Sequence, residues 1–183
     1  MRFISTGVDG VFVAELEERT DARGFFAQMF ASDEFAKRGL EQNFTQINNS
    51  LSTVAGTLRG LHYQIAPAGE AKLVRCVKGG VFDVAVDLRT NSSTFAKWVG
   101  VELTDQNRRM LYVPKGCAHG FLTLKDETEM IYLSSATYSP SHERIVRWND
   151  PLFSIQWPMA PAAISDKDKL AADYNTKSDF SGY

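Results

Sequence analysis

The run Val81-Phe82-Asp83-Val84-Ala85-Val86-Asp87-Leu88 decides the fold. It alternates: Phe82, Val84, Val86 and Leu88 point one way, and Val81, Asp83, Ala85 and Asp87 the other. A period of two belongs to a β-strand, whose successive Cβ atoms leave on opposite faces. Two carboxylates on the second face leave two readings open. That face meets solvent, or it lines the interior of a barrel.

Outward from this strand the chain stays strand-like. Upstream lie Gly56-Thr57-Leu58-Arg59-Gly60-Leu61-His62-Tyr63-Gln64 and Leu73-Val74-Arg75-Cys76-Val77, the latter bounded by Lys78-Gly79-Gly80. Downstream come residues 98–103, 110–113, 120–124, 130–133 and 145–148, mostly separated by Gly, Pro, Asn or Asp. Short strands at spacings of about 8–12 residues predict an all-β sandwich or jelly-roll barrel rather than alternating βα units. Helix signals are few. Ser32 is placed as the cap of a short helix through Phe35 and Leu40, and Ser165-Asp166-Lys167-Asp168 resembles a capping box for another through Leu170. Phe3, Ile4, Val11, Phe12 and Val13 read as an apolar N-terminal strand in need of an edge. The polar tail after Tyr174 is expected to fray.

With 183 residues, the chain is expected to be one domain over 1–183. It is 44% hydrophobic and 23% charged, with a formal net charge of −2. These values exclude disorder as the main description. They also argue against nucleic acid as a partner, while leaving room for a small anion held by a local Arg/Lys cluster. Cys76 and Cys117 lack metal or redox spacing and read as buried free thiols of a reducing compartment. The N-terminal apolar run is too short for a signal peptide, and no stretch approaches the ~18 apolar residues of a membrane span. A cytoplasmic protein without a membrane segment is expected.

Three histidines are present, His62, His119 and His142. No H-x-H or H-x-x-x-H pattern occurs, and there is no Gly-rich phosphate loop, so neither a metal nor a nucleotide cofactor is expected. His62 lies in a strand-like run, and Lys72 follows ten residues later across Ala66-Pro67-Ala68-Gly69. A hairpin there would set Lys72 opposite His62, and an imidazole beside an ammonium suits a general base near neutrality. Arg59 and His62 have opposite strand parity, and a bulge at Gly60 would bring both to one face. His119 sits in the small-residue turn Pro114-Lys115-Gly116-Cys117-Ala118-His119-Gly120, a cavity rim or simply a turn with a satisfied His. From the pattern alone Tyr132 reads as core packing, and Asp168 has a competing role as the cap of the helix begun by Ser165.

Taken together, these segments resemble the dTDP-4-dehydrorhamnose 3,5-epimerase family, nucleotide-sugar epimerases of the cupin superfamily. The resemblance runs from Asp21-Ala22-Arg23-Gly24-Phe25-Phe26 to Ser165-Asp166-Lys167-Asp168, through the His62 and Lys72 segments, Phe82 to Arg89, Ala118-His119-Gly120-Phe121 and Arg147-Trp148-Asn149-Asp150-Pro151. It implies a cupin-type jelly roll, a homodimer in which the N-terminal segment crosses to the neighbour, and epimerisation without a cofactor. The implied substrate is a nucleoside-diphosphate 4-keto-6-deoxy sugar, first dTDP-4-dehydro-6-deoxyglucose, en route to rhamnose of cell-surface polysaccharide. By motif position His62 is the base, oriented by Asp168 or, second, Asp83. Lys72 meets the enolate oxygen, and Tyr132 returns a proton. Arg23, Gln46, Asn48, Arg59, His119, Glu143 and Lys167 fall where the family contacts sugar and diphosphate, and Tyr138 where an aromatic stacks on the base. Gln28 replaces the family's common Glu at the nucleotide end, which leaves a CDP- or GDP-linked sugar as an alternative; inversion at C3 or C5 alone is another, because sister enzymes of the family use nearly the same residues. Outside that class stand a non-catalytic sugar-nucleotide binder and a metal-dependent cupin.

Overall fold

The computed structural model describes residues 1–177 and 182–183. In chain order the elements are β1 (Arg2–Ser5), β2 (Phe12–Glu15), β3 (Arg19–Asp21), β4 (Gly24–Phe26), α1 (Ser32–Ala36), β5 (Gln46–Ser52), β6 (Thr57–Gln64) and β7 (Lys72–Lys78). There follow β8 (Gly80–Asp87), β9 (Trp98–Thr104), β10 (Met110–Val113), β11 (Cys117–Thr123), β12 (Thr128–Ser134), β13 (Glu143–Ile145), β14 (Ala163–Ile164) and α2 (Asp166–Lys169). One six-stranded sheet runs β1-β2-β10-β7-β12-β5; a second runs β13-β6-β11-β8-β9, with β14 added parallel to β6. The two pack face to face as the cupin-like all-β barrel that the short, evenly spaced strands predict. The third, β3-β4, is a small exposed hairpin.

The alternation of β8 explains why the sheets close on each other. Val81 and Ala85 join Val74, Cys76, Leu111, Phe121 and Met130 between the sheets. Val84, Val86 and Leu88 join Leu61, Phe153 and Tyr174 on the outer face, where the C-terminal segment covers them. Asp83 and Asp87, on the inward parity, are both 0% exposed, so the solvent reading is corrected. A third cluster covers the outside of the first sheet, with Phe35 of α1 packed on Leu73, Met110 and Tyr112.

Three local expectations change. Ser32 is the first residue of α1, and Ala31 is the N-cap without a side-chain bond, so the helix is held by burial of Phe35 and not by a cap. The segment after His62 is not a hairpin: β6 and β7 belong to different sheets, so Ala66-Pro67-Ala68-Gly69 carries the chain across the barrel mouth. The apolar N-terminus forms two strands. β1 pairs with β2, and β2 finds its edge on β10 of the same chain. Just before the expected tail, Tyr174 is buried, its N–H donating to Asp150 Oδ2 at 2.5 Å; of the tail itself, residues 178–181 lie outside the described residues. Among the described residues no helix is long and apolar enough to cross a membrane.

Candidate active site

The site begins with a break in register. Pairing of β11 with β6 matches His119 to His62 but Phe121 to Arg59, so β6 holds one extra residue over that interval. That is the bulge expected at Gly60. It works because two glycines meet there: Gly60 has φ of 119°, and a Cβ on it would lie 2.6 Å from Gly120 Cα and 2.8 Å from the His119 carbonyl oxygen. The extra residue cancels the parity difference, so Arg59 and His62 line one cavity.

That cavity, of about 470 Å³, is also lined by Lys72, His119, Tyr132, Lys167 and Asp168. A second, of about 280 Å³, shares His62, Lys72 and Tyr132 with it and adds Gln46, Asn48, Tyr138 and Glu143. Lys72 and Tyr132 come from the sheet opposite His62, so the three enclose the space between the sheets instead of standing side by side on one.

Asp168 is the carboxylate that meets His62. Ser165 caps α2 by accepting the Asp168 backbone N–H at 3.1 Å, which frees the Asp168 carboxylate from the capping role. Its Oδ1 lies 2.6 Å from His62 Nε2, and its Oδ2 accepts the Gly60 N–H at 3.3 Å. Burial alone would raise this carboxyl; the hydrogen bond and charge of His62, with Gly60 and Ser165, outweigh it and hold the group below the usual aspartate range. A carboxylate on Nε2 keeps the proton there and leaves Nδ1 as the basic nitrogen. Asp83, the second choice for this role, is taken by another imidazole: its Oδ1 lies 2.8 Å from His119 Nε2. Asp83 pairs with Phe121 of β11, and β11 stands between β8 and the β6 strand that carries His62.

Tyr132 is half-buried, and burial, followed by the negative charge of Glu70, pushes its hydroxyl above the ordinary tyrosine range against the pull of Arg59. It therefore carries its proton at neutral pH. Arg59 donates from Nε to Ser52 Oγ at 3.3 Å and from Nη2 to the Leu51 carbonyl at 3.2 Å. At the mouth, Glu143 Oε2 accepts Lys167 Nζ at 2.6 Å and the Tyr138 hydroxyl at 2.8 Å; Gln46 Oε1 accepts the Tyr138 N–H at 2.9 Å. Tyr138 itself is 55% exposed, an aromatic face at the entrance.

Arg23 and Gln28 are not brought to the cavity. Arg23 lies at the turn of the exposed hairpin, its side chain 90% exposed and paired with Asp21; Gln28 is exposed further along. Conversely, sequence reasoning passed over Glu70, which lines the smaller cavity and pairs with Lys72 at 3.0 Å. Its two-residue offset from Lys72, which in extended chain places both on one face, was the available signal. Among the described residues no group of three His, Cys, Asp or Glu is placed to hold a metal ion.

A jelly-roll barrel in which an imidazole held by a carboxylate, an ammonium and a phenol share one cavity belongs to the acid–base enzymes. The comparisons narrow this. Residues 5–176 match the family model described as dTDP-4-dehydrorhamnose 3,5-epimerase. The dTDP-4-dehydrorhamnose 3,5-epimerase of Shigella flexneri is 47% identical over 169 residues, 92% of this chain and 93% of that protein. The crystal structure of the Elizabethkingia anophelis enzyme of that name superposes with a TM-score of 0.94 at 37% identity, covering 98% and 99% of the two chains. That from Bacillus anthracis, with TDP and PPi bound, gives 0.90 at 39% identity over 94% and 99%. The chain belongs to the dTDP-4-dehydrorhamnose 3,5-epimerase family, and it is an isomerase by that membership.

Proposed function

We propose that this chain epimerises a dTDP-linked 4-keto-6-deoxy sugar, dTDP-4-dehydro-6-deoxyglucose, at C3 and C5 to give dTDP-4-dehydrorhamnose. The observation that carries the reading is that His62, Lys72 and Tyr132 line both of the adjoining cavities together. The C4 ketone acidifies the hydrogens on C3 and C5. His62 Nδ1 takes the proton from carbon while Asp168 holds the imidazolium that forms. The C–H electron pair moves into the C3–C4 or C5–C4 bond, and the carbonyl pair onto the C4 oxygen, where the Lys72 ammonium donates. Such preorganised donors contribute about 3–4 kcal/mol each. Tyr132 then delivers its hydroxyl proton to the opposite face of the carbon, the enolate collapses to the ketone, and the configuration is inverted. Tyrosinate and imidazolium exchange their proton with solvent before the next turn.

Incubation with substrate in heavy water tests this. Deuterium should enter at C3 and C5, His62→Ala should abolish entry, and Tyr132→Phe should spare part of the exchange while reducing inversion. No entry at either carbon, over thymidine, cytidine and guanosine 4-keto sugars, removes the enzyme reading.

The position of Arg23 supports a homodimer as part of the same proposal. Phe25 and Phe26 on the hairpin are exposed, and so are Ile47 and Leu51 on the β5 edge strand. A second copy that lays its hairpin on this face covers both and brings its Arg23 toward the diphosphate end. Light scattering at a monomer mass removes that arrangement. Two buried, unbridged cysteines, Cys76 and Cys117, support the cytoplasm as its place of action.

A further inference from the structure

Glu70 lies outside the residues to which the chemistry above gives a part, yet it lines the smaller cavity beside Lys72. Its side chain is 14% exposed and that of Lys72 is 11%. One carboxylate oxygen takes the Lys72 ammonium at 3.0 Å and the other takes the Ser134 hydroxyl. Ser134 lies directly across from Lys72 in the β12–β7 register, and Tyr132 is the next inward-pointing residue of β12. The backbone carrying Glu70 is pinned as well: the Ala71 N–H donates to Ser135 Oγ at 2.8 Å, and the Ser135 N–H to the Ala71 carbonyl at 3.0 Å. The carboxylate is thus held by side chains of two strands, β7 and β12, and its backbone neighbour Ala71 is tied to Ser135 just beyond β12.

We infer that Glu70 is a positioning residue for the reaction proposed above: it holds the Lys72 ammonium at the boundary of the two cavities and sets its negative charge in the smaller cavity that it shares with the Tyr132 phenol. An ammonium has three N–H donors, so one spent on Glu70 leaves two for the C4 oxygen. The other charges near Tyr132 do not duplicate this role. Lys72 on β7 and Arg59 on β6 are cations and favour tyrosinate, as does His62 on β6 when protonated and His119 on β11 likewise. Among the described residues the other nearby carboxylates pair elsewhere, Asp168 with His62, Asp83 with His119, and Glu143 with Lys167 and Tyr138, and none of them with Lys72. Glu70 is the carboxylate that faces both the ammonium and the phenol, and its charge is among the causes that raise the Tyr132 hydroxyl. The sign follows directly: with the negative charge gone, the phenol ionises at lower pH, and the step that needs its proton fails at lower pH.

The experiment compares full-length Glu70→Gln, Glu70→Asp and wild type. In the epimerisation assay Glu70→Gln should lose about tenfold or more in kcat with KM within about threefold, since the carboxylate acts on groups that meet charge developing in the reaction. Its alkaline limb should move to lower pH, and Glu70→Asp should recover part of both effects. Ultraviolet titration of the phenols, with Tyr132→Phe subtracted from its parent, reads Tyr132 without any turnover. Ionisation at lower pH in Glu70→Gln is expected. An unmoved limb together with an unmoved Tyr132 titration overturns the inference, as does a parallel loss of kcat and thermal stability with an unchanged pH profile. If wild type exchanges no deuterium, the epimerase reading fails, while the phenol titration still decides whether Glu70 controls Tyr132.

Discussion

Replacing Asp168 by Asn isolates what the carboxylate contributes to His62. The substitution keeps the shape, and the Ser165 cap survives because it accepts the residue's backbone N–H. What changes is acceptor count. Two donors converge on the native carboxylate, His62 Nε2–H at 2.6 Å and Gly60 N–H at 3.3 Å, and an amide offers them a single oxygen. A hydrogen bond to a charged group contributes about 1.5–3 kcal/mol. The His62 side chain is 34% exposed against 4% for Asp168, so solvent screens part of the pair. A value of about 2 kcal/mol is appropriate, or roughly 30-fold in rate. Should the amide turn its NH₂ to the ring, the wrong tautomer is favoured, a change that costs about 10⁴ in the Ser-His-Asp triad. The expected loss in kcat is therefore at least about 30-fold, with KM little altered because Asp168 holds His62 and not the sugar. Deuterium exchange at C3 and C5 with parallel thermal melts provides the assay. A folded Asp168→Asn protein with kcat within about threefold of wild type refutes the orienting role.

Three further outcomes follow from the packing. Gly60→Ala, whose new Cβ meets backbone of Gly120 and His119 at under 3 Å, should destabilise by about 1–3 kcal/mol and reduce exchange sharply; wild-type behaviour in urea unfolding and activity counts against the bulge as the device that aligns Arg59 with His62. Asp87 is buried, which alone would raise its carboxyl, but bonds from Arg89, Ser92 and Thr94 hold it low. A depressed folded value stabilises above the unfolded value of about 3.9 and is lost as pH falls through the folded one. Asp87→Asn should thus cost about 3 kcal/mol at neutral pH and flatten the acid limb, and an unchanged limb in urea midpoints taken at neutral and acid pH argues against the ion pair as its source. Phe35→Ala, emptying a 0% exposed site under α1, should cost about 3–5 kcal/mol; a midpoint shift below 1 kcal/mol, roughly, means α1 is not anchored by that ring.

The division between sequence and tertiary structure is visible in particular residues. Alternation in β8 and the even spacing of short strands specify two packed sheets, because a period of two admits one buried face per side. The Ser165 cap is equally local, since it needs only residues three apart. Local rules placed the Ser32 cap one residue late because burial of Phe35, a tertiary contact, sets the start of α1.

The chain by itself indicated the central strands β6 to β12 and the residue types able to move a proton, and it named Gly60 as a place where a bulge could form; it missed β3, β4, β5 and β14, and the strand expected at 145–148 lies at Glu143–Ile145. It could not determine partners. Whether Asp83 or Asp168 meets His62, and whether Lys72 arrives beside it or from the opposite sheet, were decided by how the sheets close, whereas Glu70 lies two residues from Lys72 and was within local reach. These pairings join residues as far apart as His62 and Asp168, separated by 106 positions, and no periodicity reports on contacts at that distance.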